Sequence, residues 1–280
     1  MNAQTTQKPK VGIFGLTGCA GDQLALLNAE PELIALTGLV DVVVFDMAIS
    51  RKGEWQGMLD LALVEGSVCS QRDRQELATI RERSHNLMAI GSCAVWGGLP
   101  AMVAHIPVDQ LQQQVYGDGA AFPKTISAEP LSSFVPVDFS IPGCPIEIGE
   151  LLEALAAILA GGEPRRIDYP VCAECRVAEQ ICLVQSENQV CCGPVTVGGC
   201  KARCIGYGRP CEGCRGPVDD PHYEATQEMF FRHGLAKADV IDALRRFSTP
   251  AWVERNLAPD FAADPQRRGH QRTPLKEVGS

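Results

Sequence analysis

The sequence predicts an α/β domain with a doubly wound parallel sheet, followed by a small, irregular domain stapled by metal. Three observations carry that expectation. In the first half, apolar runs of strand length alternate with longer stretches of helical period. From Cys172 the composition changes, and Gly, Pro and Cys dominate as far as Pro217. Nine of the 13 cysteines in the 280-residue chain fall between Cys172 and Cys214. These shifts put the α/β domain at residues 8–165, the cysteine-rich domain at 166–248 and a tail at 249–280.

The elements follow in order. "VGIFGL" (Val11–Leu16), "VDVVVF" (Val40–Phe45), "LALVEGS" (Leu61–Ser67) and "NLMAIGSC" (Asn86–Cys93) read as strands. Their continuous apolarity suits strands covered by helices on both faces. Asp22–Leu36 reads as a helix broken or bent at Pro31, and Gln71–Ser84 as a helix with a polar face rich in Arg and Glu. Ile146–Leu159 is a further helix, stopped by Gly161, Gly162 and Pro164. Two more, Asp220–His233 and Lys237–Phe247, follow the cysteine-rich stretch. A segment so poor in large apolar residues needs a metal to hold one conformation.

A net charge of −9 argues against a nucleic-acid or anionic-membrane surface. The N-terminal stretch is polar, with no leader pattern, and the most apolar helical run, Leu151–Ala160, is too short to span a bilayer. A cytoplasmic protein is expected. In that compartment, 13 cysteines point to metal binding and not to disulfides.

Ligands of open α/β sheets sit outside the carboxyl ends of the strands. Cys19, in "GLTGCAGDQL" after the first strand, Cys93 and Cys144 in "IPGCPIE" all fall at that rim. Cys69 follows the third strand. A lone cysteine is most simply a small buried apolar side chain, but three beside glycines on one rim suggest a shared ligand. The downstream cluster runs Cys172-x-x-Cys175, Cys182, Cys191-Cys192, Cys200-x-x-x-Cys204, Cys211-x-x-Cys214. Eight such thiolates make two tetrahedral zinc sites or two iron–sulfur cubanes. Irregular spacing and the further cysteines at the sheet rim favour iron and sulfur. The five histidines, His85, His105, His222, His233 and His270, lack ligand-like pairing and read as surface or packing residues.

Four motifs, "LTGCAGD", "GSCAVWGG", "IPGCPIE" and "CCGPVTVGGCKARCIGYGRPCEGCRGP", together resemble the small iron–sulfur subunit of cytoplasmic nickel–iron hydrogenases. The group meant is the one coupled to soluble acceptors through a flavin or heterodisulfide-reductase partner. The likeness runs from Val11 to Pro217 with the motifs in register. It implies a flavodoxin-like first domain, three 4Fe–4S clusters and a large subunit that holds nickel and iron. It also implies a flavin- or iron–sulfur-containing acceptor subunit. Matched position by position, the proximal ligands are Cys19, Cys93 and Cys144, with Asp22 standing where the family usually has a second cysteine. Asp22 is then the expected fourth ligand, with Cys69 or solvent as alternatives and a plain helix cap as the simplest reading of an Asp there. The distal set is Cys172, Cys175, Cys182 and Cys191; the medial set is Cys200, Cys204, Cys211 and Cys214. Cys192 is left as a packed thiol, and Glu65 matches a glutamate beside the proximal loop. Two other functions stay open: a related electron-transfer subunit without hydrogenase activity, and a zinc-stapled scaffold.

Overall fold

The computed structural model describes residues 8–49, 55, 57–117 and 124–247; the tail at 249–280, with His270, lies outside the described residues. The chain runs β1 (Lys10–Gly15), α1 (Gly21–Asn28), α2 (Glu30–Leu39), β2 (Asp41–Phe45), β3 (Leu59–Glu65), β4 (Val68–Ser70) and α3 (Gln71–Glu82). It continues with β5 (Ser84–Ile90), α4 (Gly91–Trp96), α5 (Val108–Tyr116), β6 (Thr125–Glu129), β7 (Phe139–Ile141) and α6 (Ile148–Leu159). Short helices α7 (Val171–Val177), α8 (Leu183–Glu187) and α9 (Arg203–Gly206) thread the cysteine-rich region, and α10 (Tyr223–Arg232) and α11 (Lys237–Arg245) close it.

Five strands form one parallel sheet in the order β2-β1-β3-β5-β7. Counting sheet strands alone, this is the 2-1-3-4-5 winding of flavodoxin-like folds. Along β3 the side chains alternate between two cores. Leu61 and Leu63 pack with Leu26, Leu36, Leu151 and Leu155 from α1, α2 and α6. Ala62 and Val64 pack with Leu77 and Ile80 of α3 on the other face. Helices cover both sides, which is why the strands read as unbroken apolar runs.

Three sequence expectations change. The helix expected over Asp22–Leu36 is two helices, and the break is at Ala29, ahead of Pro31. Proline sits in the first turn of α2, where its missing N–H removes no helical bond. The strand expected to reach Cys93 stops at Ile90, because Gly91 takes φ +83° and turns the chain into α4. The cysteine-rich region also has a real core. Val171, Leu183, Val184, Val195 and Ile205 pack with Tyr223, Phe230, Val240 and Leu244 of α10 and α11, and with Cys191, Cys192 and Cys211.

Candidate metal centres

The C-terminal ends of the parallel strands gather the first group. Cys19 follows β1, Glu65 ends β3, Cys93 lies in α4 after β5, and Cys144 follows β7. Cys19 and Cys144 are exposed and Cys93 is half-buried. Burial pushes the thiols of Cys93 and Cys144 up to about 11 each, and the negative charge of Asp22 and the charge of Cys19 add to both shifts. Asp22 and the three thiols are therefore electrostatic neighbours.

Asp22 does not cap α1. That helix starts after Ala20 without a side-chain cap. The buried Asp22 carboxylate reaches across instead, where Oδ1 accepts from the Ile146 N–H at 2.8 Å. Its Oδ2 sits directly on Gly91: a Cβ there would lie 1.8 Å away, so only glycine leaves the carboxylate its place. Burial pushes Asp22 up to about 7, against the pull of the Ile146 hydrogen bond and with the nearby Glu65 charge adding to it. The start of α1 is served by Glu65 from β3, whose two carboxylate oxygens accept from the N–H groups of Asp22 and Gln23, both at 3.3 Å. Glu65 is 2% exposed, so it holds the Cys19 loop against the sheet from beneath. Cys69 is elsewhere. Its thiol is 3.3 Å from Ser67 Oγ and its N–H donates to Asp73 Oδ2, with no proximal cysteine acting on it.

The second group is Cys172 and Cys175 on α7, Cys182 just before α8, and Cys191. Burial pushes Cys172 up to about 12, and Cys191, Cys175 and Cys182 all add to the shift. Burial also raises Cys191, while N–H groups of Gly193 and Cys211 stabilise its thiolate. The third group is Cys200, Cys204, Cys211 and Cys214, which line one cavity of about 90 Å³ together with Cys144. The Cys200 thiolate is aided by the Ala202 and Arg203 N–H groups, and that of Cys211 by Gly213, against the burial that raises both. Cys192 is buried with its N–H on the Cys211 carbonyl at 2.8 Å, the packed thiol expected of it.

All 13 cysteines are free of disulfides. Thiols raised this far become thiolates only beside positive charge, which metal supplies. Among the described residues no three His, Cys, Asp or Glu side chains close tightly enough to share a single metal ion. The donor set fits an iron–sulfur core: soft thiolates with backbone N–H groups aimed at sulfur.

Sequence reading missed the joinery between the groups. Ser92 Oγ of α4 lies within hydrogen-bond reach of the carbonyls of Gly143 and Cys214, and Trp96 Nε1 donates to the Arg215 carbonyl at 3.0 Å. Neither contact has a local signal, since each joins residues more than 50 positions apart or on separate domains.

The observed arrangement is a doubly wound sheet with thiols along the carboxyl ends of its strands, followed by a thiol-rich region. The profile of the "NADH ubiquinone oxidoreductase, 20 Kd subunit" family matches residues 19–158, and the chain belongs to that family. It is 38% identical over 239 residues to sulfhydrogenase 2 subunit delta of Pyrococcus furiosus, covering 85% of this chain and 99% of that one. It is 30% identical over 239 residues to one of the subunits of the F420-non-reducing hydrogenase vhu of Methanocaldococcus jannaschii, covering 75% of this chain and 82% of that one. The actinobacterial-type NiFe-hydrogenase from Ralstonia eutropha H16 shares the fold, with a TM-score of 0.54 at 18% identity over 98% of each chain. The resemblance to hydrogenase small subunits holds. No helix among the described residues is long and apolar enough to cross a membrane.

Proposed function

We propose that the chain relays electrons through three 4Fe–4S clusters in a nickel–iron hydrogenase, between the large subunit's active centre and an acceptor subunit. Cys19, Asp22, Cys93 and Cys144 hold the proximal cluster. Cys200, Cys204, Cys211 and Cys214 hold the medial one, and Cys172, Cys175, Cys182 and Cys191 the distal one. The observation that carries this reading is a pair of N–H···S links that join the three groups in series. The Cys144 N–H points at the Cys214 sulfur, and the Cys211 N–H donates to Cys191 Sγ at 3.2 Å. Each neighbouring pair of ligand sets thus shares one bridge of protein.

The clusters supply one-electron redox chemistry; the chain holds, spaces and tunes them. The exposed Cys19 and Cys144 mark the face that meets the large subunit. At the other end Cys182 and Cys204 are exposed, beside Val177, Ile181 and Tyr207 at 87%, 72% and 81% exposure. Such apolar exposure suits a covering subunit, here the flavin- or iron–sulfur-containing acceptor, in a cytoplasmic complex.

Co-expression with the large subunit, anaerobic purification, and iron and sulfide analysis test the reading. About twelve iron atoms per chain are expected, since each cubane carries four. Hydrogen should then reduce all three clusters. A value near four iron atoms, stoichiometric zinc, or clusters that reduce with dithionite but never with hydrogen would overturn it.

A further inference from the structure

Arg215 is among the largest fully buried side chains of the protein, at 2% exposure. It follows Cys214 directly, yet its guanidinium turns away toward the α/β domain. Nε donates to the Gly198 carbonyl at 2.5 Å and Nη1 to the Pro142 carbonyl at 2.7 Å. Nη2 lies 2.9 and 2.8 Å from the two carboxylate oxygens of Glu150 on α6. Gly198 is two residues before Cys200, and Pro142 two before Cys144. One planar fork therefore ties the Cys144 loop, the Cys200 loop and α6 together. Space is made for it: a Cβ on Gly199, at φ +106°, would fall 2.6 Å from Nη2.

A buried ion pair is poor evidence of a stability device. Removing two charges from water costs about what their attraction returns, and a well-packed apolar pair often does as well. The position of this pair is more informative. It sits where the Cys144 and Cys214 loops meet, with the guanidinium packed against Gly199, the residue before Cys200.

Resting on the three-cluster reading above, we propose that Arg215 is a positioning residue for electron transfer between the proximal and medial centres. Its fork fixes the spacing of the Cys144 and Cys200 loops, and its charge favours the electron on the medial side. The clusters would supply the chemistry, one electron lost by the proximal centre and gained by the medial one, while Arg215 makes and breaks no bond.

The test uses the anaerobically purified complex with Arg215→Met, Arg215→Lys and Glu150→Gln. Iron content and paramagnetic resonance of the wild type judge the three-cluster reading first, independently of the variants. Redox titration then reads each cluster's potential, and the magnetic splitting between reduced neighbours reads their spacing. Arg215→Met should lower the medial potential and weaken the proximal–medial splitting, with the distal signal unchanged. Arg215→Lys should restore the potential but not the splitting, because a point charge cannot span three acceptors. Glu150→Gln, which keeps the cation and removes its counter-charge, should raise the medial potential. It serves if the Met variant fails to assemble. Wild-type potentials and splitting in a fully loaded Arg215→Met complex would overturn the proposal, as would an unmoved medial potential in Glu150→Gln.

Discussion

Asp22 stands where an aspartate could cap a helix, but its side chain is turned elsewhere. Aspartate at the start of a helix ordinarily serves its own amides. Here that task falls to Glu65, and the Asp22 carboxylate is free to face the Cys93 and Cys144 loops. A carboxylate preserves a thiolate's charge but offers harder oxygen, so under the proposed ligand set its exchange should change the proximal cluster. In Asp22→Cys the proximal cubane should assemble with a shifted potential. In Asp22→Ala the three remaining thiols should bind a cluster that has lost one iron or taken solvent. Resonance spectra of the reduced complexes check this, with medial and distal signals as internal controls. A proximal signal that survives unaltered in the Ala variant would remove Asp22 from the ligand set, and Cys69→Ser would then be the next comparison.

Among the elements, the junction of β5 and α4 carries the most consequence for the site. Gly91 ends the strand with φ +83° and leaves its face open to the Asp22 carboxylate, while α4 places Cys93 and supplies Ser92 and Trp96 to the second domain. Gly91→Ala adds a methyl group where Oδ2 lies and holds a non-glycine residue at positive φ. The backbone strain alone costs about 1–3 kcal/mol. The variant should lose the proximal cluster while keeping the medial and distal ones, read by iron content and spectra. Retention of all three would show that Asp22 can move aside. This junction also marks the limit of what the sequence reveals. Strands β1, β2, β3 and β5 were legible because burial on both faces makes them continuously apolar. The ends were not: "NLMAIGSC" reads as strand through Cys93 because nothing in it signals that Gly91 reverses the backbone. The short β4, β6 and β7 carry too few residues for periodicity to show. The cysteines at the sheet rim and in the downstream cluster were legible from position and spacing; their division into three sets, and Asp22, came from the motif resemblance. How neighbouring sets are joined depends on contacts such as Cys211 to Cys191, across 20 positions.

For the molecule as a whole, the thiol groups differ in how far they are open to the surface. The sheet rim exposes Cys19 and Cys144, whereas Cys211 is buried in a core shared with α10 and α11. The distal end exposes Cys182 among Val177, Ile181 and Tyr207, the three most exposed large apolar side chains among the described residues. Arg176, Lys201 and Arg209 are exposed in the same segments and make no ion pair among the described residues; Glu179 and Glu187 are the exposed acidic residues between them. An acceptor subunit seated here would bury the apolar trio and meet a mainly basic rim with acidic groups of its own. Desolvated apolar contacts at the centre of an interface carry most of its energy, so a charge placed there should be costly. Val177→Asp with Ile181→Asp should therefore release the acceptor subunit, or cut hydrogen-dependent reduction of the natural acceptor at least about tenfold, the effect of losing roughly 1.4 kcal/mol of binding. Reduction of a small viologen dye should persist, because a dye needs no docked subunit, and the distal resonance signal should be unchanged. If acceptor reduction and subunit retention both match the wild type, electrons leave by another face.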